Sequence, residues 1–244
     1  MPAAISAAMF LRVILAVVMV ACAVAALSSP ARADLDDELK KAGWDEITFD
    51  DKSPNLFSAI NAEHGRVDGV RVVSQSTVSI AFLNVTNDLK KRPKLTWQWR
   101  VDTKVIDTDL TREGGDDRSL AIYVAFPYQP EHASFGEKLK RAAVEALKGK
   151  DTPGRVLTYV WGGGAAKGAM TENPYAGSYG AFIFQRTPRD PSGQWLTEEV
   201  DLRADFIKAF GHEPASPVYI GIGTDTDDTT TRAEAQVQGI RFIE

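Results

Sequence analysis

Acidic residues at two places have the types and spacing to do chemistry. Asp116 and Asp117 end the run TREGGDD, and Asp225, Asp227 and Asp228 end the run IGIGTDTDD. Hard cations such as calcium gather about six to eight carboxylate and carbonyl oxygens, commonly at loop ends. Glycoside hydrolysis instead needs two carboxyl groups roughly 5–9.5 Å apart across a cleft. The spacing excludes an EF-hand. With Asp225 as first ligand, Thr230 stands where that loop needs glycine, and Gln236 where it needs a bidentate glutamate. Asp116, Asp117, Asp225 and Asp227 are therefore the candidate calcium ligands, and calcium is the one cofactor the sequence points to. Ordinary polar turn chemistry is the competing account of the same residues.

Other chemistries find less support. Gly162-Gly163-Gly164-Ala165-Ala166-Lys167-Gly168 follows a strand but matches neither the phosphate-loop nor the dinucleotide spacing. His64, His132 and His212 lack a metal-ligand or triad neighbour in sequence, and there is no G-x-S-x-G elbow. Glu199-Val200-Asp201 is similar to the start of the E-x-D-x-x-E strand of laminarinase-type glycosidases, but Arg203 and Ala204 stand where the second glutamate belongs. The catalytic alternative is a carbohydrate- or ester-active hydrolase using a pair drawn from Asp116, Asp117 and Asp225.

Strands must position these groups. LTWQWRVD alternates, with Leu95, Trp97, Trp99 and Val101 opposite Thr96, Gln98, Arg100 and Asp102. SLAIYVAF and VYIGIGTD alternate in the same way, the mark of half-buried strands. Trp97 and Trp99 share a face with aliphatic residues, which assigns them to the core. Gln98, Arg100, Tyr123, Tyr219 and Asp225 fall on the polar sides and line one surface if their strands share a sheet. Tyr219, Gly221 and Gly223 lie opposite Val218, Ile220 and Ile222. Two glycines on an outward face suit something lying close against the sheet, either a ligand or the helix expected over Asp201–Gly211.

The first 33 residues read as a signal peptide: Arg12, then an apolar run from Val13 to Leu27, then Ala31-Arg32-Ala33 before Asp34. That run is shorter than the ~20 residues a membrane span needs. Cleavage removes Cys22, the sole cysteine, and so excludes disulfides, thiolate chemistry and Cys-based zinc sites from the mature chain. Of the 28 basic residues Arg12 and Arg32 leave with it, so 26 stand against 33 acidic ones. An acidic chain without a basic cluster excludes nucleic acid and anionic membrane as partners and suits a cation or a neutral ligand. The expected location is the periplasm or outside the cell.

Residues 34–244 show no linker or repeat and form one domain. Helices are expected near Leu35–Ala42, over Ser134–Lys148 behind a Ser134/Glu137 capping box, and before Gly211. Residues 55–65 read as loop. In the final strand Ile240 and Phe242 are out of step with Ala233, Ala235 and Val237, which predicts a β-bulge at Gln238-Gly239. Some ten short strands without βαβ alternation make the fold class mainly β. The architecture expected is an antiparallel β-sandwich of jelly-roll type with two or three peripheral helices.

The motifs WQWRVD, GGDD followed by AIYVAF, LTYVWG, ENPY, VDLRADFIKAFG and IGIGTDTDDT occur in this order over nearly the whole mature chain. In them the sequence resembles the domain-of-unknown-function family numbered 3047, a family of secreted bacterial proteins. The resemblance implies an exported single-domain protein and brings no established activity; the helix over Ser134–Lys148 looks like an insertion. The function expected from the residues is a non-catalytic binding module for a glycan or another small, hydroxyl-rich ligand. Tyr123, Tyr159, Trp161 and Tyr175 would stack on it and Arg100 and Asn173 would hydrogen-bond, beside Tyr219 and Gly221. An envelope scaffold that binds another protein is the remaining alternative.

Overall fold

Alternating apolar residues bury one face of every long strand, and two sheets result. The computed structural model describes residues 34–61, 66–138 and 152–244. The expected signal peptide, and all of the helix over Ser134–Lys148 beyond its first turn, lie outside them. One sheet has six strands in the order β1 (Asp34–Leu35), β3 (Leu56–Ile60), β4 (Gly69–Gln75), β13 (Arg232–Ile243), β6 (Lys94–Val101) and β11 (Leu196–Asp201). The other has seven, in the order β2 (Trp44–Thr48), β5 (Val78–Asn84), β12 (Tyr219–Asp225), β7 (Arg118–Phe126), β8 (Arg155–Trp161), β10 (Gly177–Arg186) and β9 (Met170–Asn173). The chain changes sheet from β4 through β5, β6 and β7, and again from β10 through β11, β12 and β13, as a jelly-roll sandwich does. Pairing is antiparallel except at β1–β3 and β8–β10, which run parallel and so depart from the expected pattern.

The core lies between the sheets. Leu95, Trp97, Trp99 and Val101 of β6 face Leu120, Ile122, Val124 and Phe126 of β7, all fully buried. Trp97 and Trp99 meet edge to face at 5.3 Å, and the seven-stranded sheet answers with Tyr159 on Trp97 (5.5 Å) and Trp161 on Trp99 (5.4 Å). Such aromatic pairs contribute about 0.5–1.5 kcal/mol beyond their buried area. Tyr159 and Trp161 are therefore core residues, not ligand-stacking ones. RVLTYVW alternates acceptably in either phase, and register decides: Tyr159 pairs with Ile122 and Trp161 with Leu120, both inward.

Local signals explain the remaining elements. α1 (Asp37–Lys41) is capped by Asp36, which accepts from the Leu39 N–H at 2.8 Å. α2 (Leu202–Phe210) is capped by Asp201 and ends at Gly211, whose φ of 77° needs glycine. Its Phe206 packs on Phe126 of the core (4.6 Å). The capping box holds: Ser134 N–H donates to Glu137 at 2.8 Å, and Glu137 N–H to Ser134 Oγ at 3.2 Å. Residues 55–65, read as loop, contain β3, anchored by buried Phe57. The bulge also holds. β13 shifts register against β6 between Gln238 and Arg241, and Gly239 takes φ 65°. Among the described residues no helix is long and apolar enough to cross a membrane.

The polar strand faces do not form the expected single surface. β6 belongs to one sheet, β7 and β12 to the other, so Arg100 points away from Tyr123 and Tyr219 on the opposite outer face. There Arg100 pairs with Asp102, which also accepts from Gln236 at 2.9 Å. Side chains of the neighbouring strands, and not α2, stand over Gly221. A Cβ on it would lie 2.7 Å from Ile80 Cγ2 and 3.4 Å from Tyr123 Cβ, so the glycines of β12 make room for Ile80 and the Tyr123 ring.

Candidate cation site

β7 and β12 are antiparallel neighbours with Arg118 opposite Asp225, so the start of one and the end of the other deliver both acidic runs to one place. Carboxylate oxygens of Asp117, Asp225 and Asp227 come within 4.8 Å of one another. Three of the four candidate calcium ligands thus converge. The fourth, Asp116, does not join them; its carboxylate accepts from the Arg118 guanidinium at 3.1 Å.

Each acid is held differently. Asp117 is buried and accepts from the N–H of Asp228 (3.3 Å), the N–H of Thr229 (2.8 Å) and the hydroxyl of Thr229 (2.5 Å). These bonds tie the loop after β12 to the start of β7. Asp227 pairs with Lys52. Burial works against the Asp227 carboxylate, yet hydrogen bonds from Asp225 and Lys52 hold its pKa below the ordinary value. Asp225 is 6% exposed, and its Oδ1 accepts no hydrogen bond among the described residues. Loss of water pushes its carboxyl up to about 8, Arg118 opposing and Asp227 and Asp116 reinforcing the shift.

Arg118 is the residue the sequence reading missed. Its side chain is 7% exposed. One end of the guanidinium reaches Asp116 and, at 3.3 Å, Asp225 Oδ2; the other donates to the Tyr123 hydroxyl at 2.8 Å. The guanidinium also stacks over Phe182, 5.1 Å from the ring centre. Burial opposes its charge, while Tyr123 and the two acids stabilise it and keep its pKa above the ordinary value. Tyr123 lies in a second apolar cluster with Leu110, Ala121, Val160, Phe182 and Phe184 on the outer face of the seven-stranded sheet. It therefore holds the arginine under a loop instead of offering its ring to a ligand.

The other candidates scatter. Tyr219 packs on Phe82 (5.2 Å). Asn173 accepts from the N–H groups of Tyr175 (2.9 Å) and Ala176 (3.2 Å) and so shapes a turn. Tyr175 alone offers an open ring: it is 60% exposed, and its hydroxyl accepts from Gly114 N–H at 2.9 Å.

The space beside the acids bounds their chemistry. The cavity lined by Asp117, Arg118, Asp225 and Thr226 measures about 10 Å³. That holds about one water-sized sphere and no sugar ring. Every acid of the proposed hydrolytic pair is also engaged: Asp116 and Asp225 by Arg118, Asp117 by Thr229. The donor set, all hard oxygens with an unpartnered Oδ1 among them, fits a calcium-sized ion.

Fold and site thus define a class, an antiparallel β-sandwich with a carboxylate cluster at its strand ends. The chain belongs to the family described as Protein of unknown function (DUF3047), which matches residues 42–241. No curated protein matches the sequence. Among solved structures the chain is similar to the xyloglucanase domain of NopAA, a type three effector from Sinorhizobium fredii, at TM-score 0.42 and 8% identity, over 82% of this chain and 97% of that one. It is also similar to the K1 cleaved adhesin domain of Lys-gingipain from Porphyromonas gingivalis W83, at TM-score 0.29 and 12% identity, over 81% of this chain and 88% of that one.

Proposed function

We propose that the protein is an exported, non-catalytic binding module whose loops at one end are fixed by calcium. The observation that carries this reading is the convergence of Asp117, Asp225 and Asp227 within 4.8 Å around an unpartnered buried oxygen. Two buried acids and a half-buried one crowd their oxygens here, and a proton or a cation relieves the repulsion that full ionisation brings; calcium does so with oxygen ligands alone. Backbone carbonyls and water would complete its shell. Lys52, whose side chain is 43% exposed, can leave Asp227 for solvent. Calcium at a hundredfold excess over its Kd should add about 2.7 kcal/mol, which is about 5–10 °C in Tm for a chain of this length. Asp225→Asn should abolish the shift, and magnesium, which demands stricter octahedral geometry, should give less. Thermal unfolding with calcium and with chelator decides it; an unmoved Tm at millimolar calcium ends the reading.

The ligand we propose for this module is neutral and hydroxyl-rich, and the surface that would receive it is the loop end around Tyr175. Its ring is exposed and its hydroxyl pinned to Gly114, two residues before Asp116. A pinned ring offers stacking area at little entropic cost. Glycan-array retention should fall at least tenfold in Tyr175→Ala with Tm unchanged. Retention that is absent in the parent protein, or untouched by the substitution, rules this surface out.

A further inference from the structure

The opposite end of the strands is built differently. β4 begins at Gly69, opposite Gln238, and beyond its bulge β13 runs on beside β6, with Arg241 opposite Thr96 and Phe242 opposite Leu95. The sheets part there around a cavity of about 590 Å³. Small-molecule sites typically occupy ~300–1,000 Å³. Ile222 and Val237, fully buried core residues, form its floor. Trp44, Leu83, Val85, Ile240 and Phe242 are its half-buried walls. The mouth is cationic: Arg66, Arg92 and Arg241 line it, all exposed, with Asp68 the one acid among the described lining residues. A chain with net charge −5 thus gathers three arginines around this apolar opening. The Arg241 guanidinium donates to its neighbour's carbonyl, Gly239 O, at 3.3 Å.

We propose that this crevice binds a long-chain fatty acid, with the acyl chain between the sheets and the carboxylate at the arginines. The apolar walls favour the chain, each buried methylene being worth about fourfold in affinity. Guanidinium groups favour a carboxylate because their paired N–H donors match its two oxygens. The proposal is independent of calcium. Ile220 lies in this crevice and Asp225 in the cation site, five residues apart on β12, or about 17 Å at the rise of a strand.

Titration calorimetry of the full chain with hexadecanoate, below its micelle concentration and with calcium chelated, tests it. The expected result is saturable one-to-one binding, at least tenfold tighter than methyl hexadecanoate or hexadecyltrimethylammonium. The double variant Arg92→Ser/Arg241→Ser changes exposed residues and should leave Tm unmoved, while weakening the acid about tenfold and sparing the ester. Absence of saturable binding overturns the proposal, as does an ester that binds as tightly as the acid. A double variant that binds the acid like the parent overturns it too. Co-sedimentation with phosphatidylglycerol vesicles without uptake of free acid would assign the arginines to a membrane surface instead.

Discussion

Replacing Arg118 with methionine should destabilise the protein by about 3–5 kcal/mol, the range for breaking a buried ion pair from one side. Methionine spans a similar length and can lie over Phe182, so packing is largely kept. What is lost is the cation buried among Asp116, Asp225 and the Tyr123 hydroxyl. Asp116 keeps a buried carboxylate with no counter-charge, and Asp225 loses the partner of its Oδ2. Urea denaturation measures the cost. Adding Asp116→Asn to Arg118→Met should recover part of it, because the stranded acid is then neutral. A single-variant loss below about 1 kcal/mol would mean that the acids never needed the arginine.

The second large effect belongs to Glu198. Its side chain is fully buried, and its carboxylate accepts from Trp99 Nε1–H at 3.1 Å, from Arg186 Nε–H at 2.5 Å and from the Lys167 ammonium. Glu198 is on β11 of one sheet and Arg186 on β10 of the other, so this cluster ties the two sheets together at one side. Glu198→Ala should cost about 3–5 kcal/mol, leaving the buried Trp99 indole N–H without its acceptor and Arg186 with Asp190 as its remaining acid partner. Glu198→Gln keeps the Trp99 bond while losing the charge and should cost about 1.5–3 kcal/mol, the worth of charge-assisted hydrogen bonds. Equal losses in the two variants would assign the cost to volume instead of charge; no loss in either would leave the cluster without a structural role.

Neither residue announced itself in the sequence, and the reason is the same for both. Arg118 reads as the first polar residue of a strand, and Glu198 as one acid beside Glu199, the residue whose spacing drew attention. Their importance comes from partners that folding brings from far along the chain, such as Asp225 for Arg118 and Trp99 for Glu198. What the sequence did reveal is carried by short-range physics. Alternation marked β6, β7 and β12; Ser134 and Glu137 marked a capping box; the phase slip at Ile240 marked the β13 bulge. Acids at strand ends were legible because one acidic pair stands just before β7 and β12 ends in another. Their convergence depended on β7 and β12 being neighbours, which alternation cannot report. The same blindness joined Arg100 to Tyr123 in one imagined surface, although consecutive strands β6 and β7 lie in opposite sheets. Tyr159 and Trp161 were misplaced because an apolar run such as RVLTYVW carries no phase of its own.

The position of β13 has a consequence in time. It follows every other strand in chain order, yet it sits inside the six-stranded sheet, paired to β4 on one side and β6 on the other. Until it arrives, β4 and β6 each expose a ladder of unpaired N–H and C=O groups, and Trp97 and Trp99 lie on an incomplete sheet. The sandwich is consequently a late assembler, dominated by contacts between distant segments that close slowly. A chain held open in this way can be threaded through a narrow channel before it locks. Until that strand is in place the same open edges are templates on which another copy can pair.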